Sequence, residues 1–130
     1  MSDRKEALTD LLVMVDAGLA FCPEESCYTN EFCSLFDMCF DEAMFDLFSA
    51  GYEGSLDAAK TLHEEVLPEW VVNTLDQASN LAGDPWGCEV AYFDGSNPSK
   101  SRKAYSGHNY SNPARAWLIA TLKALIAQED

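Results

Sequence analysis

The chain has 130 residues, of which 48% are hydrophobic, and its 22 acidic and eight basic side chains give a formal net charge of −14. This length supplies one hydrophobic core of ordinary size rather than two, and an aromatic content of 12% excludes a wholly disordered acidic segment. The charge argues against nucleic acid and anionic membrane as direct partners, and it favours a partner with a basic surface.

The negative charge is concentrated in the first half of the chain. Residues 1–66 carry a net charge of −12, whereas residues 67–130 carry −2. Between Glu6 and Ala59 there are twelve acidic residues and no lysine or arginine. The carboxylates between the two ends of this stretch therefore have no cation nearby in sequence with which to form surface ion pairs, and the pattern predicts a negative surface.

A first amphipathic helix is predicted near the start of the chain. It begins at Asp3, which has capping-box spacing to Glu6, and it ends at Gly18. The segment that follows, residues 21–27, is predicted to be a loop because Pro23 disfavours a helix at the residue before it.

A second helix is predicted from about Asn30 to about Phe48. One stripe of apolar residues on this helix is predicted to be buried, namely Phe32, Leu35, Phe36, Cys39, Ala43 and Leu47. On the opposite side Asp37 is interleaved with Met38 and other large apolar residues. Asp46 lies close to the apolar stripe, which indicates that the helix breaks before it.

Turn residues divide the second half of the chain. We expect a hinge at Gly51–Gly54, a helix capped by Ser55 that stops at Pro68, and a last helix that opens with Pro113 in its favoured first position. Three short strands are predicted between these helices, at residues 70–75, 88–93 and 102–106.

This order of elements predicts an α+β fold. We expect a small three-stranded, antiparallel sheet packed with helices, preceded by a helical acidic N-terminal region. Residues 1–54 form the acidic, Cys- and Phe-rich helical extension in this interpretation, and residues 55–130 form the α/β domain. The two parts are expected to make a single compact unit.

From Ser55 to about residue 128 the chain resembles the phage alpha-beta-alpha sandwich domain family. The residues that carry the resemblance are Ser55-Leu56-Asp57-Ala58-Ala59, Leu67-Pro68-Glu69-Trp70, Trp86, Asn112-Pro113-Ala114-Arg115-Ala116 and Leu122-Lys123-Ala124-Leu125. The resemblance implies a phage or prophage origin, and it implies no catalytic or binding residues. Residues 1–54, with the Cys- and Phe-rich stretch from 21 to 50, have no counterpart in the family.

Four of the five cysteines lie close together, and they are predicted to be free thiols. The gaps between Cys22, Cys27, Cys33 and Cys39 contain four, five and five residues, whereas structural zinc sites usually pair cysteines two to four residues apart. Zinc binding is the alternative that this spacing leaves open. We predict no metal and no cofactor.

No arrangement of residues indicates an enzyme. The clustered thiols stand among carboxylates, which disfavour thiolate, and no histidine lies nearby in sequence to act as their base. His63, beside Glu64 and Glu65 on a predicted helix, is predicted to be a solvated surface residue. The basic group Lys100, Arg102 and Lys103 is predicted to pair with the protein's own acids rather than with phosphate.

The candidate binding surface is therefore acidic and partly apolar. Its carboxylates are expected to meet lysine and arginine, and its apolar groups to act as anchors. The predicted partner-binding residues are Glu24, Glu25, Glu31, Asp37, Met38, Asp41, Glu42, Phe45, Asp46 and Phe48.

Two functions of different class fit this surface. The first is a phage-derived inhibitor that mimics nucleic acid and blocks the basic surface of a host protein or ribonucleoprotein complex, such as a CRISPR effector. The second is a phage structural or accessory protein that oligomerises, for example as a homodimer, through its Phe-rich helix. No run of eighteen apolar residues and no signal-peptide order is found, so we expect a protein of the host cell cytosol with no membrane contact.

Overall fold

The computed structural model describes residues 3–22, 24–25, 27–77, 86–92, 103–109 and 112–129. In the described ranges the helices are α1 (Asp3–Ala17), α2 (Asn30–Cys39), a 3₁₀ helix (Glu42–Met44), α3 (Phe45–Glu53), α4 (Leu56–Val66) and α5 (Pro113–Gln128). The strands are β1 (Phe21–Cys22), β2 (Cys27–Tyr28), β3 (Val71–Gln77), β4 (Trp86–Tyr92) and β5 (Lys103–Asn109).

The strands form two small sheets. Strands β1 and β2 pair as an antiparallel hairpin, and β3, β4 and β5 lie side by side in that order with antiparallel neighbours. In the larger sheet Val90 stands opposite Val72 on one side and Tyr105 on the other, and the register shifts between Val72 and Thr74. The predicted α+β class is confirmed.

The prediction of one small sheet was incomplete. Residues 21–27 were predicted to be a loop, but Phe21 pairs with Tyr28 and Cys22 pairs with Cys27. Packing explains the difference, because the Tyr28 ring lies 5.3 Å from the Phe32 ring and so fixes the strand against α2. This contact lies outside the local sequence pattern that predicted the loop.

Side-chain caps start three of the helices, and one of them is the cap predicted at Ser55. Thr29, Ser55 and Asn112 accept hydrogen bonds from the backbone N–H groups of Phe32, Ala58 and Arg115. Gly54, with φ of 122°, ends α3. The predicted hinge is therefore confined to the turn at Gly54, because Gly51 lies inside α3 and is buried.

One hydrophobic core contains residues from both halves of the chain. Leu8 of α1, Phe32 of α2 and Leu118 of α5 belong to the same buried cluster. Helix α5 is the centre of this core, since it packs on α1, α3 and α4 on one side and on the sheet on the other. A helix in that position is buried on all faces through its middle turns, as the unbroken run of buried residues from Ala116 to Leu122 shows. The division of the chain into a helical extension, residues 1–54, and an α/β domain, residues 55–130, stays a prediction.

The second predicted helix is wrong in its length. It ends at Cys39, and Phe40 is extended, with φ of −138° and ψ of 158°. The phenylalanine ring of Phe40 is buried against Phe36 and Phe48, with ring centroids 5.3 and 5.7 Å apart. A straight helix would spread these rings along its axis, whereas the break folds α3 back so that they share one cluster. The break precedes Asp46, as the sequence indicated by placing this acidic residue near the apolar stripe.

Within the described residues, no helix combines the length and the apolar character that crossing a membrane requires.

Candidate protein-binding surface

The helix break gathers acidic side chains into what we call the acidic ridge, formed by Asp37, Asp41, Glu42 and Asp46 together with Met38. Asp37 and Met38 lie in the last turns of α2, and the other three follow the break. The backbone N–H of Met44 donates to the carbonyl of Asp41, which turns the chain into the 3₁₀ helix. All five side chains are exposed, and Met38 is 55% exposed.

Two grooves lie on either side of Asp37. The larger, of about 700 Å³, is lined by Asp37, Glu42 and Asp46 and by the half-buried ring of Phe45. The smaller, of about 370 Å³, is lined by Asp37, Met38, Asp41 and Glu65 and also by Arg4, which pairs with Glu129. Each groove therefore presents carboxylates beside an apolar surface.

The ridge carboxylates lack internal counter-ions. In the part of the chain that the structure describes, none of Asp37, Asp41, Glu42 and Asp46 forms an ion pair. Two cations of the described chain have other partners, since Arg4 pairs with Glu129 at 3.5 Å and Lys60 pairs with Glu64 at 3.1 Å. Their charge is thus directed at solvent or at a partner.

Phe48 was predicted to be an exposed apolar anchor, and this prediction was wrong. Its side chain is 0% exposed, and its ring centroid lies 5.7 Å from that of Phe32 and 5.5 Å from that of Phe36. The physical reason is the helix break, which turns this face of α3 toward the core. Conversely, Ala43, predicted to be buried, is exposed in the 3₁₀ helix.

The remaining predicted acids are exposed but stand apart from the ridge. Glu24 and Glu25 lie at the tip of the β1–β2 hairpin, and Glu31 lies in the first turn of α2, where the helix dipole favours a negative charge. Glu31 precedes Asp37 by six residues, about 9 Å along the helix axis. None of these three carboxylates lines either groove.

The cysteines are free thiols with different surroundings. Burial raises the pKa of Cys39 to about 11 and the pKa of Cys88 to about 12. Desolvation and the nearby Glu25 carboxylate raise the pKa of Cys27. Thiols of this kind stay protonated at neutral pH and are poor nucleophiles. Across the described ranges, no three His, Cys, Asp or Glu side chains are grouped so that they could hold a metal ion.

His63 was predicted to be a solvated surface residue, but it is buried at 3% exposure. The indole N–H of Trp117 donates to His63 Nδ1 at 3.1 Å, so the imidazole proton lies on Nε2, which donates to the carbonyl of Trp70 at 2.9 Å. The spacing of apolar residues along α4 already indicated that His63 is buried. His63 follows Ala59 by four residues and Leu62 by one, so it lies on the buried face of α4.

The predicted basic group falls largely outside the described residues. Of Lys100, Arg102 and Lys103 only the backbone of Lys103, at the start of β5, is described. The basic residues elsewhere stabilise the fold. The guanidinium of Arg115 lies 3.9 Å from the centre of the Tyr52 ring and donates to the Tyr52 carbonyl at 2.9 and 3.1 Å.

No protein-family model matches this chain, and no significant match was found among the curated proteins or the solved structures. The resemblance of residues 55–128 to the phage alpha-beta-alpha sandwich domain family therefore stays a prediction, and the function has to be argued from the surface itself.

Proposed function

We propose that this protein is a small acidic binding protein that inhibits a host complex by occupying its basic, nucleic-acid-handling surface. The observation that carries the proposal is the acidic ridge, whose four exposed carboxylates have no ion-pair partners in the described chain. A row of such charges substitutes for phosphates in a groove lined with lysine and arginine. Met38 and Phe45 add the apolar contact that charge alone does not supply.

The host target and the inhibitory role rest on analogy. The resemblance of the second half to a phage domain suggests a phage or prophage protein in the host cytosol, where defence complexes such as CRISPR effectors handle nucleic acid. An anti-CRISPR or other anti-defence inhibitor fits a protein that places acidic and apolar groups on one ridge. Direct binding of nucleic acid is disfavoured because phosphates meet a net charge of −14.

The alternative is a phage structural or accessory protein that forms oligomers through its phenylalanine-rich helix. Burial weakens this alternative. Phe32, Phe36, Phe40 and Phe48 are each at most 8% exposed, so these rings are already used within the chain's own core. Met38 and the half-buried Phe45 leave a smaller apolar surface than a stable dimer buries.

The test is a pull-down of the tagged protein from the lysate of a plausible host at low salt, with a salt step and mass spectrometry of the eluate. We expect one nucleic-acid-handling complex that salt releases and that added DNA or RNA displaces. Recovery of the protein itself alone, or of phage structural proteins, would favour the oligomer instead.

Charge reversal tests whether the partner binds at the acidic ridge. We expect Asp37→Lys with Asp41→Lys to weaken capture about a hundredfold, because two attractive contacts become repulsive. The matched control is Asp10→Lys with Asp76→Lys, which changes the net charge equally at exposed positions on α1 and β3. Equal losses from the two double variants would contradict the assignment to the ridge.

A further inference from the structure

A third groove, which shares no residue with the acidic ridge, opens at the end of the larger sheet where β3 begins and β4 ends. Its volume is about 300 Å³. We call it the aromatic groove, and its described lining is Glu69, Trp70, Tyr92, Tyr105, Ala127 and Gln128. Neither the candidate surface nor the proposed function uses any of these residues.

Three aromatic side chains meet in this groove because of the sheet register. Val71 pairs with Ala91, which places Trp70 beside Tyr92, and Tyr105 stands opposite Val90 on the neighbouring strand. The ring of Trp70 lies 5.7 Å from that of Tyr92 and 5.9 Å from that of Tyr105, measured between centroids. Trp70 is buried and the two tyrosines are half-buried, so the rings present only part of their surface to the groove.

Trp70 is held in place before any ligand arrives. Its backbone N–H donates to the Leu67 carbonyl at 3.0 Å, and its carbonyl accepts from His63 Nε2 at 2.9 Å. His63 is in turn fixed by the indole N–H of Trp117 on α5. These hydrogen bonds fix the backbone from which the Trp70 ring projects, which lowers the entropic cost of placing that ring against a ligand.

The electrostatic character of the aromatic groove favours a cation. The Glu69 carboxylate is exposed at its rim. The C-terminal turn of α5 borders it, and this turn carries the negative end of the helix dipole and no basic residue. Ring faces are also negative, and no basic side chain is among the described lining residues, although the backbone of Lys103 stands opposite Tyr92 at this end of the sheet.

We propose that the aromatic groove binds the guanidinium of an arginine side chain presented by a basic polypeptide. A planar guanidinium stacks on aromatic rings while its N–H groups reach a carboxylate, which a lysine ammonium does less well. A nucleotide would bring phosphate toward Glu69 and toward the overall negative charge. The aromatic groove and the acidic ridge share no residues, so either proposal can fail while the other stands.

The experiment is an NMR titration of the full chain with N-acetyl-L-arginine amide, followed at the assigned indole N–H of Trp70. We expect saturable shifts with a dissociation constant on the order of millimolar, as suits one side chain. N-acetyl-L-citrulline amide, which has the same shape without the charge, should bind about fivefold more weakly.

Glu69→Gln is the decisive variant because Glu69 is exposed and its replacement leaves the fold intact. We expect the arginine amide to bind about threefold more weakly to this variant. The matched control, Asp76→Asn, removes one charge at the far end of β3 and should leave the affinity unchanged.

Three results of the arginine and citrulline titrations would overturn the proposal. They are the absence of saturable shifts at Trp70, equal affinity for the citrulline analogue, and equal effects of Glu69→Gln and Asp76→Asn. Tighter binding of adenosine monophosphate than of the arginine amide would also overturn it, since the groove would then be a nucleobase site.

Discussion

The imidazole of His63 joins α4, α5 and the start of β3 through two buried hydrogen bonds. Its replacement by alanine leaves the indole N–H of Trp117 and the carbonyl of Trp70 without partners and opens a cavity. We expect the free energy of unfolding to fall by about 3 kcal/mol, measured by urea denaturation. The control is His108→Ala at an exposed position on β5, which should cost no more than about 0.5 kcal/mol. Similar losses for the two variants would show that the network contributes little.

Buried thiols make stability depend on pH in the alkaline range. The pKa of Cys88 is raised by burial from 9.0 to about 12. Between these values the unfolded chain releases the thiol proton and the folded chain keeps it, so the free energy of unfolding decreases as pH rises. Burial and Glu53 also raise the pKa of Tyr28, which acts in the same direction.

The contribution of this thiol can be isolated by substitution. We expect the free energy of unfolding of Cys88→Ala to decline less between about pH 8 and about pH 10 than that of the unsubstituted chain, measured by denaturation at each pH. Parallel declines in the two proteins would mean that Cys88 does not contribute.

Among the elements, β5 and α5 approach each other most closely at Gly107. A Cβ atom at this position would collide with the backbone of Ala116 and Ala120 on α5, and a helix backbone cannot move aside as a flexible side chain can. We expect Gly107→Ala to lower the free energy of unfolding by about 3 kcal/mol. Gly87→Ala is the comparison, because there the added Cβ meets the ring edge of His108 at 3.3 Å and the Asp76 carbonyl oxygen at an ordinary contact distance of 3.8 Å. An equal cost at both glycines would contradict the close approach.

For the whole molecule, a net charge of −14 means that folding brings like charges together. Added sodium chloride screens this repulsion, so we expect the melting temperature to rise with ionic strength. Asp37→Asn with Asp41→Asn should raise the melting temperature by about 4 °C at low salt and by much less at high salt, measured by calorimetry. A melting temperature that falls with salt would mean that attractive ion pairs dominate instead.

Elements with strong local signals were predicted well. The three strands predicted at residues 70–75, 88–93 and 102–106 correspond to β3, β4 and β5 with ends shifted by one to three residues. Helix starts at Ser55 and Asn112 were also correct, since a cap acts within one turn of the chain. Errors arose where contacts between residues distant in sequence determine the local structure or the burial of a side chain. Examples are the pairing of β1 with β2 and the buried His63.

The sequence by itself determined the α+β class, the helix caps, the order of the strands along the chain and the concentration of acid in the first half. These properties follow from composition and from interactions within a turn or two. Only the tertiary structure decided which groups face outward. Packing of Phe40 and Phe48 into one ring cluster breaks the predicted helix, buries an expected anchor and brings Asp37, Asp41, Glu42 and Asp46 onto one ridge. The aromatic groove has the same origin, because the register of three strands and the hydrogen bond from His63 to Trp70 join residues far apart in the chain.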